Sequence, residues 1–370
     1  MTAALARTLM LFRGGREERA AEVERGEAPD EFLYGHPQLD RRLGGVTIIE
    51  PSSDRTLLDR LLRPLEMLTV RLGYGLFFST ALGRFRVFQQ AHTVIATTDS
   101  TAMPVLLLTR LGLVRAQTVF ISQGLHSYAA STPVRRWIEG QLGRCLHAAA
   151  GIVVLGDGDR EALRARFAHV GLPPVATIQF GIDERFWSPG SGDAAPDERY
   201  FLSVGSDVLR DYDTLLRAST ELPLRLITRL PLSADLIRPN VSVESQFTWP
   251  ELRARYRAAA FVVTPIKDQP RDSGHSATLQ AMACGKAVIL SDTEGLWDRE
   301  SMRHGETCYL VEPGNPEAMR AAITHLWTHP EEAARIGENA RKLVVEKYSS
   351  AGFGTRLAEV VRHALSSGPS

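Results

Sequence analysis

The chain has 370 residues, 44% hydrophobic and 23% charged, a balance that fits a folded two-domain protein and excludes disordered and fibrous classes. Its 43 basic and 43 acidic side chains cancel, so nothing calls for a polyanionic partner and no nucleic-acid binding is expected. Three widely spaced cysteines, Cys145, Cys284 and Cys308, form no CxxC pair and no metal-ligand spacing, which points to a reducing cytoplasm.

Residues 8–12 are the first predicted strand; the run is too short for a secretory signal, and no apolar stretch reaches the ~18–20 residues that cross a bilayer. Further strands are predicted at 46–50, 93–97, 118–122, 151–155 and 176–180, then at 200–204, 224–228, 241–243, 261–264, 287–291 and 308–311. Longer Arg/Leu/Ala stretches at helical spacing alternate with them, the rhythm of parallel α/β architecture with two doubly wound sheets. Pro, Gly and small residues over 187–196 predict a linker between the two sets. Between strands, residues 56–90 combine Leu57, Leu58, Leu61, Leu62, Leu65 and Leu68 with Arg60, Arg63, Arg71, Arg84 and Arg86. Such a helix either covers a sheet while its Arg heads reach water, the favoured reading, or lies as a basic amphipathic element on a membrane surface.

Phe261-Val262-Val263-Thr264-Pro265, then Asp272-Ser273-Gly274-His275-Ser276, then Ala277 to Gly285 and Lys286 to Ile289 read as strand, loop, helix, glycine stop and strand. A helix opening on Ser-Gly-His-Ser leaves free N–H groups at the positive end of the macrodipole, suited to a diphosphate, with Ser273 and Ser276 as extra donors. Asp157-Gly158-Asp159 has the look of a metal-binding DxD, but it starts a predicted helix, so capping accounts for it and no metal is expected.

The 272–289 stretch resembles the signature of retaining glycosyltransferases of family 4: an acid, seven intervening residues, a second acid, then Ala-Met-Ala-x-Gly. Asp272 holds the first position and Gln280 stands in the second. The resemblance implies that Asp272 contacts donor-sugar hydroxyls, that Gln280 orients ribose through its amide, and that Arg271, Ser273, Gly274, His275, Ser276 and Thr278 border the donor. Phe180-Gly181-Ile182-Asp183 resembles the family's passage between domains. Phe201 to Ala218 is similar to its donor-phosphate strand and helix, with Gly205 followed by Ser206 where Arg is usual and Arg210 matching the usual Lys. Lys267, Arg271 or Arg229 would have to replace the missing cation. Ser245, Gln246 and Phe247 fall where the family borders the nucleobase.

In the first domain, Phe120-Ile121-Ser122-Gln123-Gly124-Leu125-His126 ends a strand, and the family often sets a histidine there beside the donor sugar, which makes His126 the candidate. Gln123, Gly124 and Asp99 are acceptor-side candidates, and Gly15 permits close backbone approach to phosphate or acceptor. The resemblance thus implies a GT-B fold, two Rossmann-like domains facing across a cleft: an acceptor-binding domain at 1–185, a donor domain at 186–348, and a C-terminal helix at 349–370 crossing back. The implied reaction is metal-independent, retaining transfer from a nucleoside-diphosphate sugar to an unidentified acceptor, with His126, Arg210 and Asp272 as catalytic candidates and no cofactor. The site is cytoplasmic, peripheral at most to the inner membrane face. A partner-dependent sugar-nucleotide binder and a nucleotide-sugar epimerase are the alternatives.

Overall fold

The computed structural model describes residues 7–51, 56–125, 132–190, 199–219 and 221–366. The chain divides into two compact units: residues 1–21, 32–179 and 353–370 form one, and residues 22–31 and 180–352 the other.

The first unit holds a six-stranded parallel sheet of β1 (Thr8–Leu11), β2 (Val46–Ile49), β3 (Thr93–Ala96), β4 (Gln117–Ser122), β5 (Ala149–Val154) and β6 (Val175–Thr177), in the order β2-β1-β3-β4-β5-β6. The second holds β7 (Phe201–Val204), β8 (Leu224–Ile227), β9 (Val241–Glu244), β10 (Val262–Thr264), β11 (Val288–Ser291) and β12 (Tyr309–Val311), all parallel, ordered β12-β11-β10-β7-β8-β9. All twelve predicted strands are present. Inner strands such as β1, β3, β7, β10 and β11 are buried along their whole length, because helices cover both faces of a parallel sheet and demand unbroken apolar runs. The edge strands β2, β6, β9 and β12 each keep partly exposed positions.

The helices follow in chain order: α1 (Arg16–Glu24), α2 (His36–Leu43), α3 (Leu57–Arg71), α4 (Phe78–Gly83), α5 (Phe85–Gln89), α6 (Asp99–Arg110), α7 (Pro133–Leu146) and α8 (Asp157–Arg166). Then come α9 (Tyr212–Ala218), α10 (Trp249–Ala258), α11 (His275–Ala283), α12 (Pro316–Thr328), α13 (Pro330–Lys347) and α14 (Ser350–Ser366). Apolar residues on α6 and α7 pack on β3 to β5 in the first unit, and α9, α12 and α13 pack on β7, β10 and β11 in the second. Each Leu or Ile so enclosed contributes about 1.5–3 kcal/mol.

Three expectations change. The start of the predicted linker is core: Trp187 is completely buried, its indole N–H donating to Glu31 Oε1 at 2.9 Å, while residues 191–198 lie outside the described set. Asp157 is the first residue of α8 rather than its cap; it accepts from Thr177 Oγ at 2.9 Å, and the cap position is Gly156. The favoured reading of α3 as a core helix is overturned, because none of its residues is buried and Leu57 and Leu61 are 73% and 69% exposed.

Candidate donor-binding site

In an open parallel sheet, ligands bind beyond the carboxyl ends of the strands where the strand order reverses. In the second unit that point lies between β7 and β10. The loop leaving β7 carries Gly205 to Asp211, and the loop leaving β10 runs from Pro265 to Gly274. The two are laced together: Arg210 bridges Ile266 in antiparallel fashion, Asp211 N–H donates to Pro265 O at 3.1 Å, and Lys267 N–H donates to Leu209 O at 2.9 Å.

This lacing turns the Arg210 side chain back over Gly205 and toward the start of α11. A Cβ on Gly205 would collide with the guanidinium, and one on Gly274, where φ is +84°, would stand 2.6 Å from Ile266 Cδ1 and 3.5 Å from Arg210 Nη1. Both positions therefore require glycine. Arg210 is only 5% exposed, yet its Nε and Nη1 have no hydrogen-bond partner. Ser273, just before the Gly274 that precedes α11, is also buried and has an Oγ without a partner. Gly274 caps α11 with no side-chain acceptor, so the first N–H groups of the helix are not capped from that position. A buried cation without a counter-charge costs several kcal/mol. Here it converges with a helix N-terminus and a hydroxyl, and an anion would satisfy all three.

Beside this cradle, Asp272 Oδ2 lies 3.1 Å from His275 Nε2, and the His275 ring meets Trp297 edge-on with centroids 4.6 Å apart. Trp297 is 2% exposed, with its indole N–H unpartnered. Its loop is fixed to the α11 entry loop by Gly295 N–H to Gln269 O at 2.9 Å and Glu294 N–H to Asp268 Oδ1 at 2.8 Å. Nothing in the sequence marked Trp297, since a single Trp in a loop carries no spacing signal.

Gln280, on α11, is turned inward. Its Nε2 donates to Glu31 Oε1 at 3.0 Å and its Oε1 accepts from Tyr256 Oη at 3.2 Å. Glu31 also accepts from Trp187 and, through Oε2, from Asp183 N–H at 3.3 Å. Burial raises the Glu31 pKa to about 8, against the pull of the Gln280 and Trp187 hydrogen bonds. A glutamate at 280 would face this second carboxyl at hydrogen-bond distance, a physical reason for the amide in this chain. Asp183, of the Gly-Ile-Asp passage, caps its own turn by accepting from Arg185 and Phe186 N–H through Oδ1.

Ser206 is exposed and its Oγ accepts from Arg229 N–H at 2.9 Å. Arg271 is half-exposed and ion-pairs with Asp207 at 3.7 Å. Thr278 is fully buried and bonds Thr264 Oγ1 at 3.2 Å, tying α11 to β10, whereas Ser276, the second residue of the helix, is partly exposed. Ser245, Gln246 and Phe247 are exposed beyond the end of β9.

In the first unit, the strand order reverses between β1 and β3. Gly14 and Gly15, both with positive φ, follow β1, and Asp99 opens α6 after β3. Asp99 Oδ2 accepts Gln123 N–H at 2.9 Å, and Gln123 Nε2 donates to Thr97 O at 2.8 Å and Tyr34 Oη at 2.9 Å. Gly124 follows with φ +125°. Asp99 and Gln123 are thus joined in one hydrogen-bonded assembly that includes Tyr34, a residue no motif marked. His126 lies outside the described residues.

Two parallel six-stranded sheets of this kind, each with its own crossover helices, define a GT-B protein. Sucrose-phosphate synthase from Thermosynechococcus elongatus superposes with a TM-score of 0.71 at 17% identity, covering 98% of this chain and 100% of that one. Anabaena HepE in complex with UDP-glucose gives 0.65 at 13% identity, over 96% of this chain and 99% of that one. Residues 211–329 match the family model described as glycosyl transferases group 1. A D-inositol 3-phosphate glycosyltransferase from Thermobispora bispora is 28% identical over 227 residues, 52% of this chain and 52% of that protein. The chain spans about half the length of this curated relative. Among the described residues, no helix is long and apolar enough to cross a membrane.

Proposed function

We propose that the protein transfers a sugar from a nucleoside-diphosphate sugar to an acceptor nucleophile with retention at the anomeric carbon. The observation that carries this reading is the buried guanidinium of Arg210, whose Nε and Nη1 have no hydrogen-bond partner, at the start of α11, where Gly274 supplies no side-chain cap. The diphosphate sits on Arg210, Ser273 and the first N–H groups of α11, and Asp272, beside His275, holds sugar hydroxyls. As the C1–O bond to the diphosphate breaks, negative charge grows on the leaving oxygen, and a preorganised dry cation stabilises that charge most effectively. The acceptor oxygen forms the new bond to C1 from the same face and its proton passes to the leaving phosphate, so no separate protein base is needed. The reading places no metal or cofactor in the reaction. It locates the protein in the cytoplasm, in keeping with three buried cysteines that are all free thiols.

Gln280 reaches ribose in this reading only by exchanging its bond to Glu31 or Tyr256, so ribose recognition falls mainly to backbone groups around 245–247. A second reading, a sugar-nucleotide binder that needs a partner for turnover, is favoured by Gln280 and by Ser206, which bonds Arg229 N–H where a cation is usual. Incubating the full chain with a panel of nucleotide sugars, with nucleoside diphosphate release and product anomeric configuration read by NMR, separates these. Retention of configuration supports the transferase; tight diphosphate binding with no release from any donor, with or without added acceptors, supports the binder. Free sugar or an isomerised donor as the sole product would indicate an epimerase.

A further inference from the structure

The hydrophobic pattern of α3 faces the wrong way for a core helix. Its inner side is held by polar contacts: Glu66 Oε1 accepts Ser79 N–H at 2.7 Å, and Thr69 Oγ1 accepts Leu76 N–H at 2.9 Å. Its outer side presents Leu57, Leu61, Leu65 and Leu68, 73%, 69%, 45% and 52% exposed. The spacing i, i+4, i+8, i+11 puts these four on one stripe about 16 Å long. Arg60, Arg63 and Arg71 are exposed on the same helix. The only acids of α3 are engaged locally, Glu66 as above and Asp59 in the capping box with Thr56. Tyr74, just past the end of α3, donates its hydroxyl to Arg135 O at 3.2 Å, which brings the first turn of α7 alongside. The N-terminal end of α7 adds Val134 and Trp137, 59% and 66% exposed, with exposed Arg136 between them.

We propose that the outer face of α3, with the N-terminal end of α7, docks this unit on a membrane surface rich in anionic lipid. An apolar stripe bordered by arginines, with a tryptophan at its margin, matches a bilayer interface: the leucines enter the acyl boundary, the guanidiniums meet lipid phosphates, and the indole sits at headgroup level. A second copy of the chain fits less well. A twofold contact would set Arg60, Arg63 and Arg71 against their own copies with no free acid on the helix to answer them, and one narrow stripe is far below the roughly 800 Å² per partner of a stable interface. The proposal is independent of the transferase reading.

The test is co-sedimentation of the full chain with vesicles of phosphatidylcholine alone and of an equal mixture with phosphatidylglycerol. Binding to the anionic vesicles only, weakened by salt, is expected. Leu61→Glu/Leu68→Glu, at exposed positions that leave folding intact by circular dichroism, should lower the partition at least about tenfold. Arg60→Glu/Arg63→Glu should lower it roughly as much and remove the salt dependence. Failure to bind anionic vesicles at low salt, or equal binding by the leucine variant, overturns the proposal. So does a dimer in analytical ultracentrifugation that Leu61→Glu/Leu68→Glu abolishes, which would assign the face to a second copy.

Discussion

Replacing Arg210 with methionine separates a ligand-binding cation from a structural one. In the free protein this guanidinium is 5% exposed with Nε and Nη1 unpartnered, so its removal relieves a desolvation cost and breaks no hydrogen bond from those two atoms. The free variant should therefore be as stable as the parent or more so. Methionine keeps much of the volume over Gly205 without the charge. With a nucleoside diphosphate bound, the same side chain makes charge-assisted hydrogen bonds worth about 1.5–3 kcal/mol each. Losing them after partial relaxation costs about 2–4 kcal/mol, or roughly 30- to 1,000-fold in affinity. Thermal unfolding with and without ligand reads both effects. At a hundredfold excess over Kd the parent gains about 2.7 kcal/mol. For a domain of this size that is a rise of roughly 5–10 °C. Arg210→Met should lose nearly all of that rise. A variant that unfolds several degrees earlier without ligand, yet keeps the ligand-induced rise, would make Arg210 a packing residue and not a ligand-binding one.

Gly205→Ala places a methyl on the Arg210 guanidinium and should weaken diphosphate binding about tenfold or more, measured by the same melts. Gln280→Glu sets a second carboxyl where the amide now bonds Glu31. It should cost about 2–4 kcal/mol in urea unfolding, most of it recovered in Glu31→Gln/Gln280→Glu. The Glu31 pKa is raised from 4.5 to about 8 on folding. Its protonated form is therefore favoured in the folded chain, and the stability it contributes is present below pH 4.5 and lost as the pH climbs through about 8. Urea midpoints at pH 5, 6.5 and 8 should fall for the parent and fall less for Glu31→Gln; parallel slopes would contradict the assignment. Ser273→Ala should lower diphosphate affinity about fivefold with no loss of stability, since its hydroxyl has no partner in the free protein.

The sheets were legible because parallel strands buried on both faces must be continuous apolar runs. The poorest boundary was the sixth strand, read at 176–180 and found at Val175–Thr177, an edge where burial is partial and the pattern weak. The start of α11 was legible, because its Gly-Ser composition signals a helix start. That Arg210 is buried with Nε and Nη1 unpartnered was not, because its position follows from the lacing of loops 209–211 and 265–267 rather than from local sequence. The Gln280–Glu31 bond joins residues 249 positions apart, beyond any periodicity. On α3 the heptad-like leucines announced an amphipathic helix, but the apolar arc is wider than the surface it covers. A pattern alone does not tell which part of such an arc is buried.

Calorimetric titration of the full chain with UDP, GDP, ADP and TDP probes the proposed diphosphate site at Arg210. At least one diphosphate should bind with micromolar affinity, abolished or weakened at least about thirtyfold in Arg210→Met. Absence of binding by all four, or equal binding by the variant, would contradict the donor site at Arg210 and the start of α11.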